Sequence, residues 1–191
     1  MRFLFHLVLL IGVALFVGFG LSYYLLTDGR VLGAVRVGPW AAWPAVGSSS
    51  PDPYTRAYLA RTGVLQLGQS EGIVFTATTD SDGTSLDRGC RYRIEGTTPT
   101  AAFWTMEAVA PDGANIARPD GAQELQSRHV ARANDGAITA YVSRSIAPYN
   151  WLEIAGDGSF RLILTLYDAT NVSGGNAVST LPAIVKEACG A

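Results

Sequence analysis

The first twenty-six residues constrain this chain more than any other feature. From Leu4 to Leu26 the sequence carries no Asp, Glu, Lys or Arg, and only His6 and Ser22 interrupt the apolar run. About 20 apolar residues in helical conformation cross the hydrocarbon core of a bilayer. A secretory signal would have a shorter core, roughly 7–15 residues, closed by a small-x-small site. No Ala-x-Ala pattern closes the segment here, and Tyr23 and Tyr24 stand at its far end, where amphipathic rings favour the membrane–water interface. The run reads as an uncleaved, single-pass anchor over residues 1–27, with a cleaved signal as the alternative.

Orientation follows from weaker signals. Arg2 precedes the segment, whereas Arg30 and Arg36 follow it, and a count of arginines alone places the far side in the cytoplasm. A very short N-terminal tail with one arginine resembles the start of an export signal. The two cysteines, Cys90 and Cys189, suit an oxidising compartment. The expectation is an inner-membrane protein of a bacterial envelope, in contact with inner-membrane lipid, with its C-terminal body in the periplasm. The cysteines are then compatible with one disulfide worth ~2–4 kcal/mol, from closure of a loop of about 100 residues. The alternative is two unpaired buried thiols.

Without the anchor about 160 residues remain, enough for one ordinary domain. The formal net charge is −2 and the pI about 5.6, which gives no electrostatic footprint for nucleic acid. Residues 28–69 read as a connector with a short helix. Val35, Val37 and Trp40 suit a short strand, limited by Gly38-Pro39 and Trp43-Pro44. Asp52-Pro53 has the chemistry of a helix start, and Gly63 that of a stop. Tyr54, Ala57, Tyr58 and Leu65 share one side of that helix, and its tyrosines are expected against a sheet or the membrane-proximal connector.

From residue 70 to 191 the pattern is that of a β-sandwich domain. Ile73–Thr78, Cys90–Glu95, Phe103–Val109, Ile138–Ser143, Trp151–Ile154 and Phe160–Tyr167 read as strands, with a weaker one at 128–133. Asp80-Ser81-Asp82-Gly83, Pro111-Asp112-Gly113 and Asn134-Asp135-Gly136 read as turns. Cys90, Tyr92 and Ile94 alternate with Arg91, Arg93 and Glu95, the signature of a half-buried strand with one charged face. A closing helix is expected over Leu181–Ala188. No alternating strand–helix series supports a doubly wound fold. The fold class is therefore mainly β, a sandwich with one N-terminal transmembrane helix and short flanking helices.

The chemistry of the chain is sparse. Its two histidines are His6, inside the anchor, and His129. A His-Glu-x-x-His zinc site, a structural zinc centre, a nucleophile elbow, a Walker loop and a dinucleotide fingerprint are all missing. No metal or cofactor is implied. A Ser-His-Asp triad would need His129 as its base, and a structural histidine is the simpler reading. Glu95, Glu107, Glu153 and Asp168 lie on or beside strands, where two carboxylates could serve a glycosidase; their spacing selects no pair, and exposed sheet-face charges explain them. Trp104, Tyr141, Tyr149, Trp151 and Tyr167 either fill the core or line a ligand surface. Asn150, beside Trp151, either fixes a loop through backbone hydrogen bonds or presents its amide to a ligand. Trp104, Asn150, Trp151 and Tyr167 are the candidate ligand or partner contacts.

The run Tyr92-Arg93-Ile94-Glu95-Gly96, then Pro99, then Ala102-Phe103-Trp104-Thr105 and the Asp112-Gly113 turn, resembles the domain-of-unknown-function family 1214. The later order of Asn134-Asp135-Gly136, Asn150-Trp151-Leu152 and Phe160–Tyr167 extends the resemblance over about residues 70 to 188. It implies a jelly-roll-like β domain. It also implies a companion, because that family often accompanies domain-of-unknown-function family 1254 on the same or a neighbouring protein. It supplies no catalytic residues. Two departures stand out: Glu153-Ile154 follows Asn-Trp-Leu where relatives commonly have proline, and Asp168-Ala169 follows Tyr167 likewise. The functional expectation is a non-catalytic envelope module that engages a companion membrane protein. The alternative is an enzyme or binding module for an envelope glycan, lipid or other small ligand.

Overall fold

In the computed structural model, residues 2–28, 34–63, 67–68, 70–169 and 180–190 are described. Helix α1 (Arg2–Asp28) contains the apolar run. Its window from Arg2 to Tyr23 is long and apolar enough to cross a membrane and is not buried against the rest of the protein. The body that follows is mainly β, with two sheets facing one another across a single apolar core.

The larger sheet has six antiparallel strands. In spatial order they are β1 (Val35–Val37), β2 (Trp40–Ala42), β3 (Gly72–Ala77), β9 (Arg161–Tyr167), β5 (Phe103–Val109) and β6 (Glu124–Gln126). The smaller sheet runs β10 (Ala183–Cys189), β4 (Cys90–Gly96), β7 (Ile138–Ser143), β8 (Asn150–Glu153). Inward positions alternate with outward ones along each strand. Trp104 and Met106 from β5 and Leu162, Leu164 and Leu166 from β9 meet Tyr92 and Ile94 from β4 and Val142 from β7 in the core. Burial of each such large side chain contributes about 1.5–3 kcal/mol before conformational entropy is counted. Trp40 Nε1 donates to the Pro182 carbonyl at 2.7 Å and so fastens β2 of one sheet to the chain entering β10 of the other.

Three local expectations are corrected. The segment Leu181–Ala188 is not a helix. Pro182 precedes strand β10, which pairs antiparallel with β4 from Ala183↔Glu95 to Cys189↔Cys90. The ladder offered by β4 and the cross-link at Cys189 outweigh a local helix preference. The strand expected at 128–133 lies earlier, at Glu124–Gln126, where Leu125 turns into the core. Val35, Val37 and Trp40 do not share one strand: Gly38, at φ 57°, reverses the chain into a β1–β2 hairpin. Residues 35–42 thereby supply two strands to the larger sheet.

Helix α2 (Pro53–Thr62) starts and stops where the sequence indicates. The Asp52 carboxylate accepts from the Tyr54 and Thr55 amides at 2.9 and 3.1 Å and from the Thr55 hydroxyl. The Thr55 hydroxyl, ahead of the backbone amides, holds this carboxyl below its usual range. Gly63 closes the helix at φ 63°, a left-handed conformation that glycine adopts without a Cβ penalty. The principal neighbours of α2 are α1 and the 3-10 turn Pro44–Gly47, not the sheets. Tyr54 is 51% exposed; Leu65, expected on the same side, lies outside the described residues.

Candidate functional site

Among the described residues, the outer face of the four-stranded sheet brings several half-exposed charged and aromatic side chains together. Cross-strand register sets Val185 of β10 opposite Arg93 of β4, Arg93 opposite Tyr141 of β7, and Tyr141 opposite Trp151 of β8. One row of side chains thus crosses all four strands, with antiparallel neighbours directly opposite one another from β10 to β7 and a parallel step to β8. Arg91, two residues from Arg93 and on the same face, sets its guanidinium 4.5 Å from the centre of the Tyr141 ring, a cation–π distance.

Glu187 joins this row because β10 is irregular. The register jumps between Lys186 and Ala188, leaving Glu187 as an extra residue. Such bulges re-aim a side chain. Glu187 Oε1 accepts from Arg93 Nε at 2.9 Å. Its Oε2 lies 3.1 Å from Arg91 Nε, an ion-pair distance without hydrogen-bond alignment. Arg93 also pairs with Glu95. Two arginines and two glutamates balance in charge, all of them partly exposed. The Trp151 indole N–H donates to the Ser143 carbonyl at 3.2 Å, which anchors the ring against β7.

β8 is brought beside β7 by a short connection. The two strands run parallel, Ala140↔Asn150 to Ser143↔Glu153, although only residues 144–149 join them, where parallel neighbours ordinarily need a longer crossover. Tyr149, at φ 63°, lies next to the start of β8. The other edge of β8 is covered by the segment 116–122, through Glu153 N to Ala122 O and Ala155 N to Ile116 O, both 2.9 Å.

The four sequence candidates separate into different places. Trp104 faces the core at 2% exposure. Its Nε1 has no acceptor among the described residues, and the Arg132 guanidinium lies 5.7 Å from its ring centre. Asn150 is buried and fixes a loop: Oδ1 accepts from Ala131 N, and Nδ2 donates to the carbonyls of Ala131 and Thr139. Tyr167 lies on the outer face of the other sheet, 5.7 Å from Phe103 between ring centres. Trp151 alone belongs to the row just described. Cys90 and Cys189 are joined by a disulfide across β4 and β10.

The carboxylates are equally dispersed. Glu95 is in the row. Glu107 is on the opposite sheet, where burial first and Glu124 second raise its pKa. Glu153 is buried, paired through Oε1 with Arg118 Nε at 2.5 Å. Asp168, at φ 51°, caps β9 with its amide donating to Glu71 O. His129 is exposed. Arg91, Arg93 and Glu187 were not among the sequence candidates. The alternation through β4 puts both arginines on one face, but Glu187 was hidden by the helix reading of its segment.

A family described as "Protein of unknown function (DUF1214)" matches residues 71–171. No curated protein matches significantly. Among solved structures, the crystal structure of the VPA0106 protein from Vibrio parahaemolyticus is similar at TM-score 0.58 and 22% identity, over 72% of this chain and 35% of that one. The crystal structure of an uncharacterised protein from Burkholderia cenocepacia aligns at TM-score 0.46 and 16% identity, over 91% of this chain and 51% of that one. The chain therefore spans about a third of VPA0106 and about half of the Burkholderia protein. The VPA0106 likeness is one of fold.

Proposed function

The chain belongs to the DUF1214 family of proteins of unknown function, and from that premise we propose that it is a membrane-anchored, non-catalytic interaction module. Helix α1 tethers it to the inner membrane, the β domain stands in the periplasm, and the Arg93–Tyr141–Trp151 row contacts a companion protein in the same membrane. A protein of domain-of-unknown-function family 1254 is the companion to try first. The observation that carries this reading is the row itself. Arginine, tyrosine and tryptophan are the residue types that dominate binding energy at protein interfaces, and here they are aligned in register on a sheet face that the domain leaves partly open. The ion pairs to Glu95 and Glu187 hold both arginines extended along the face and lower the ordering cost of binding.

The test is site-specific photocross-linking in intact membranes, with a photoreactive residue at Thr139, on the same face beside Glu95. Co-expression with the companion should give a discrete cross-linked species, and Arg93→Glu should abolish it. No cross-link to the companion at this position, with expression and membrane fractionation unchanged, would overturn the assignment.

A second reading rests on one observation: Tyr141 and Trp151 occupy adjacent strands in direct register, an arrangement on which a sugar ring of an envelope glycan could stack. Binding of the intact protein in nanodiscs to immobilised glycans, lost in Trp151→Ala, would favour it over a protein partner.

A further inference from the structure

We propose that helix α2 lies on the surface of the membrane that α1 crosses, with its Tyr54–Ala57–Arg61 side among anionic phospholipid headgroups. The proposal rests on the reading of α1 as a membrane anchor and concerns a surface separate from the sheet-face row.

The geometry starts from Tyr23. This residue lies near the far end of the apolar run, which closes at Leu26, and tyrosine near the end of a span favours headgroup level. The Arg61 guanidinium lies 5.6 Å from the centre of the Tyr23 ring. The last turn of α2 is therefore at the depth of the span's aromatic end. α1 is also a principal neighbour of α2, and the sheets are not. A contact at this level leaves α2 beside the bilayer surface.

The composition of α2 fits that position. Residues 53–62 carry Arg56 and Arg61 and no acidic residue, and the Asp52 carboxylate that precedes them caps the helix. Tyr54, Ala57 and Arg61 follow at i, i+3 and i+7, one side of a helix. Tyr54 and Ala57 are exposed along this side, and Arg61 at its end reaches Tyr23. An exposed tyrosine and a basic terminus near a span suit the headgroup region, where amphipathic side chains settle and anionic lipid attracts arginine. Arg56 donates from Nε to the Pro51 carbonyl at 2.9 Å, which keeps its charge at the entry of the same helix.

Spin-label depth measurements on the full chain in nanodiscs test this. Single labels go at Phe16→Cys in the middle of α1, at Ala57→Cys on α2, and at Asp82→Cys in an exposed turn of the β domain. With phosphatidylglycerol present, position 57 should be roughly threefold less accessible to a water-soluble nickel relaxant than position 82, and phosphatidylcholine alone or Arg61→Gln should raise that accessibility. If position 16 is buried in lipid and position 57 is as accessible as position 82, the helix stands off the membrane and the inference fails while the anchor stands. If position 16 is itself aqueous, the anchor reading fails, and this inference with it. If position 57 is shielded equally in both lipids, the assignment to anionic headgroups is overturned.

Discussion

The side chain of Asn150 grips the backbone of Ala131 on both polar groups, accepting from its N–H at 2.7 Å and donating to its carbonyl at 2.9 Å. A third bond runs from Nδ2 to the Thr139 carbonyl at 2.9 Å. One buried amide thus ties the start of β8 to the loop before β7 and to β7 itself. Asn150→Ala should lower stability by about 2–3 kcal/mol, the cost of several lost hydrogen bonds and of backbone groups left buried without partners. Asn150→Asp should cost nearly as much, because a carboxylate cannot donate to the two carbonyls. Urea unfolding measures both; wild-type midpoints for the two variants would refute the role.

Gly121 stands over the buried carboxylate of Glu153. A Cβ at this position would fall 1.5 Å from Glu153 Oε2 and 2.7 Å from Cδ. Glu153 is 2% exposed and paired with Arg118, so it cannot swing aside freely. Gly121→Ala should therefore destabilise by about 1–3 kcal/mol through overpacking. Glu153→Gly in the same background removes the obstacle, so a double-mutant cycle should show strong coupling. Additive effects would place the strain elsewhere.

Glu107 and Glu124 face each other directly across β5 and β6. Partial burial, then repulsion from Glu124, raises the Glu107 pKa. The fold holds this proton more tightly than the unfolded chain does. Stability from this group is fully present below the unfolded value and falls as pH rises through the raised folded value, so the penalty is complete at neutral pH. Glu107→Gln should stabilise at pH 7 by about 0.5–1 kcal/mol, the scale of a cross-strand like-charge pair, with the gain vanishing near pH 4. Thermal melts across that range give the comparison, and a gain that persists at low pH would contradict it.

The Cys90–Cys189 disulfide joins residues 99 apart in sequence and pins the end of β10 to the start of β4. Cys90→Ser with Cys189→Ser should cost about 2–4 kcal/mol. It should also weaken the Arg91 and Arg93 contacts with Glu187, which stands two residues before Cys189. Denaturant midpoints with and without reductant measure the first effect. Hydrogen exchange at residues 183–189 measures the second, and unchanged exchange there would show that pairing alone holds β10.

Whatever depends on near neighbours in the chain can be read from the residues alone. The apolar run, broken only by His6 and Ser22, dictates α1. Asp52-Pro53 and Gly63 bound α2, because caps are satisfied within four residues. Period-two alternation marks β3, β4, β5, β7 and β9, because side chains on a strand point to opposite faces whatever its partner. The pairing of two distant cysteines was legible as a possibility, and Asn150 as a loop-fixing amide.

What depends on partners far away in sequence emerges with the assembled fold. Residues 183–189 are a strand because β4 presents an edge to them. The bulge that puts Glu187 between Arg91 and Arg93 exists only within that pairing. Trp104 and Trp151 are the same residue type on similar alternating strands, yet one is sealed between the sheets and the other lies half-open on an outer face. Alternation says that a strand has two sides; which side meets the core is fixed by register against neighbouring strands, and that register is a property of the whole fold.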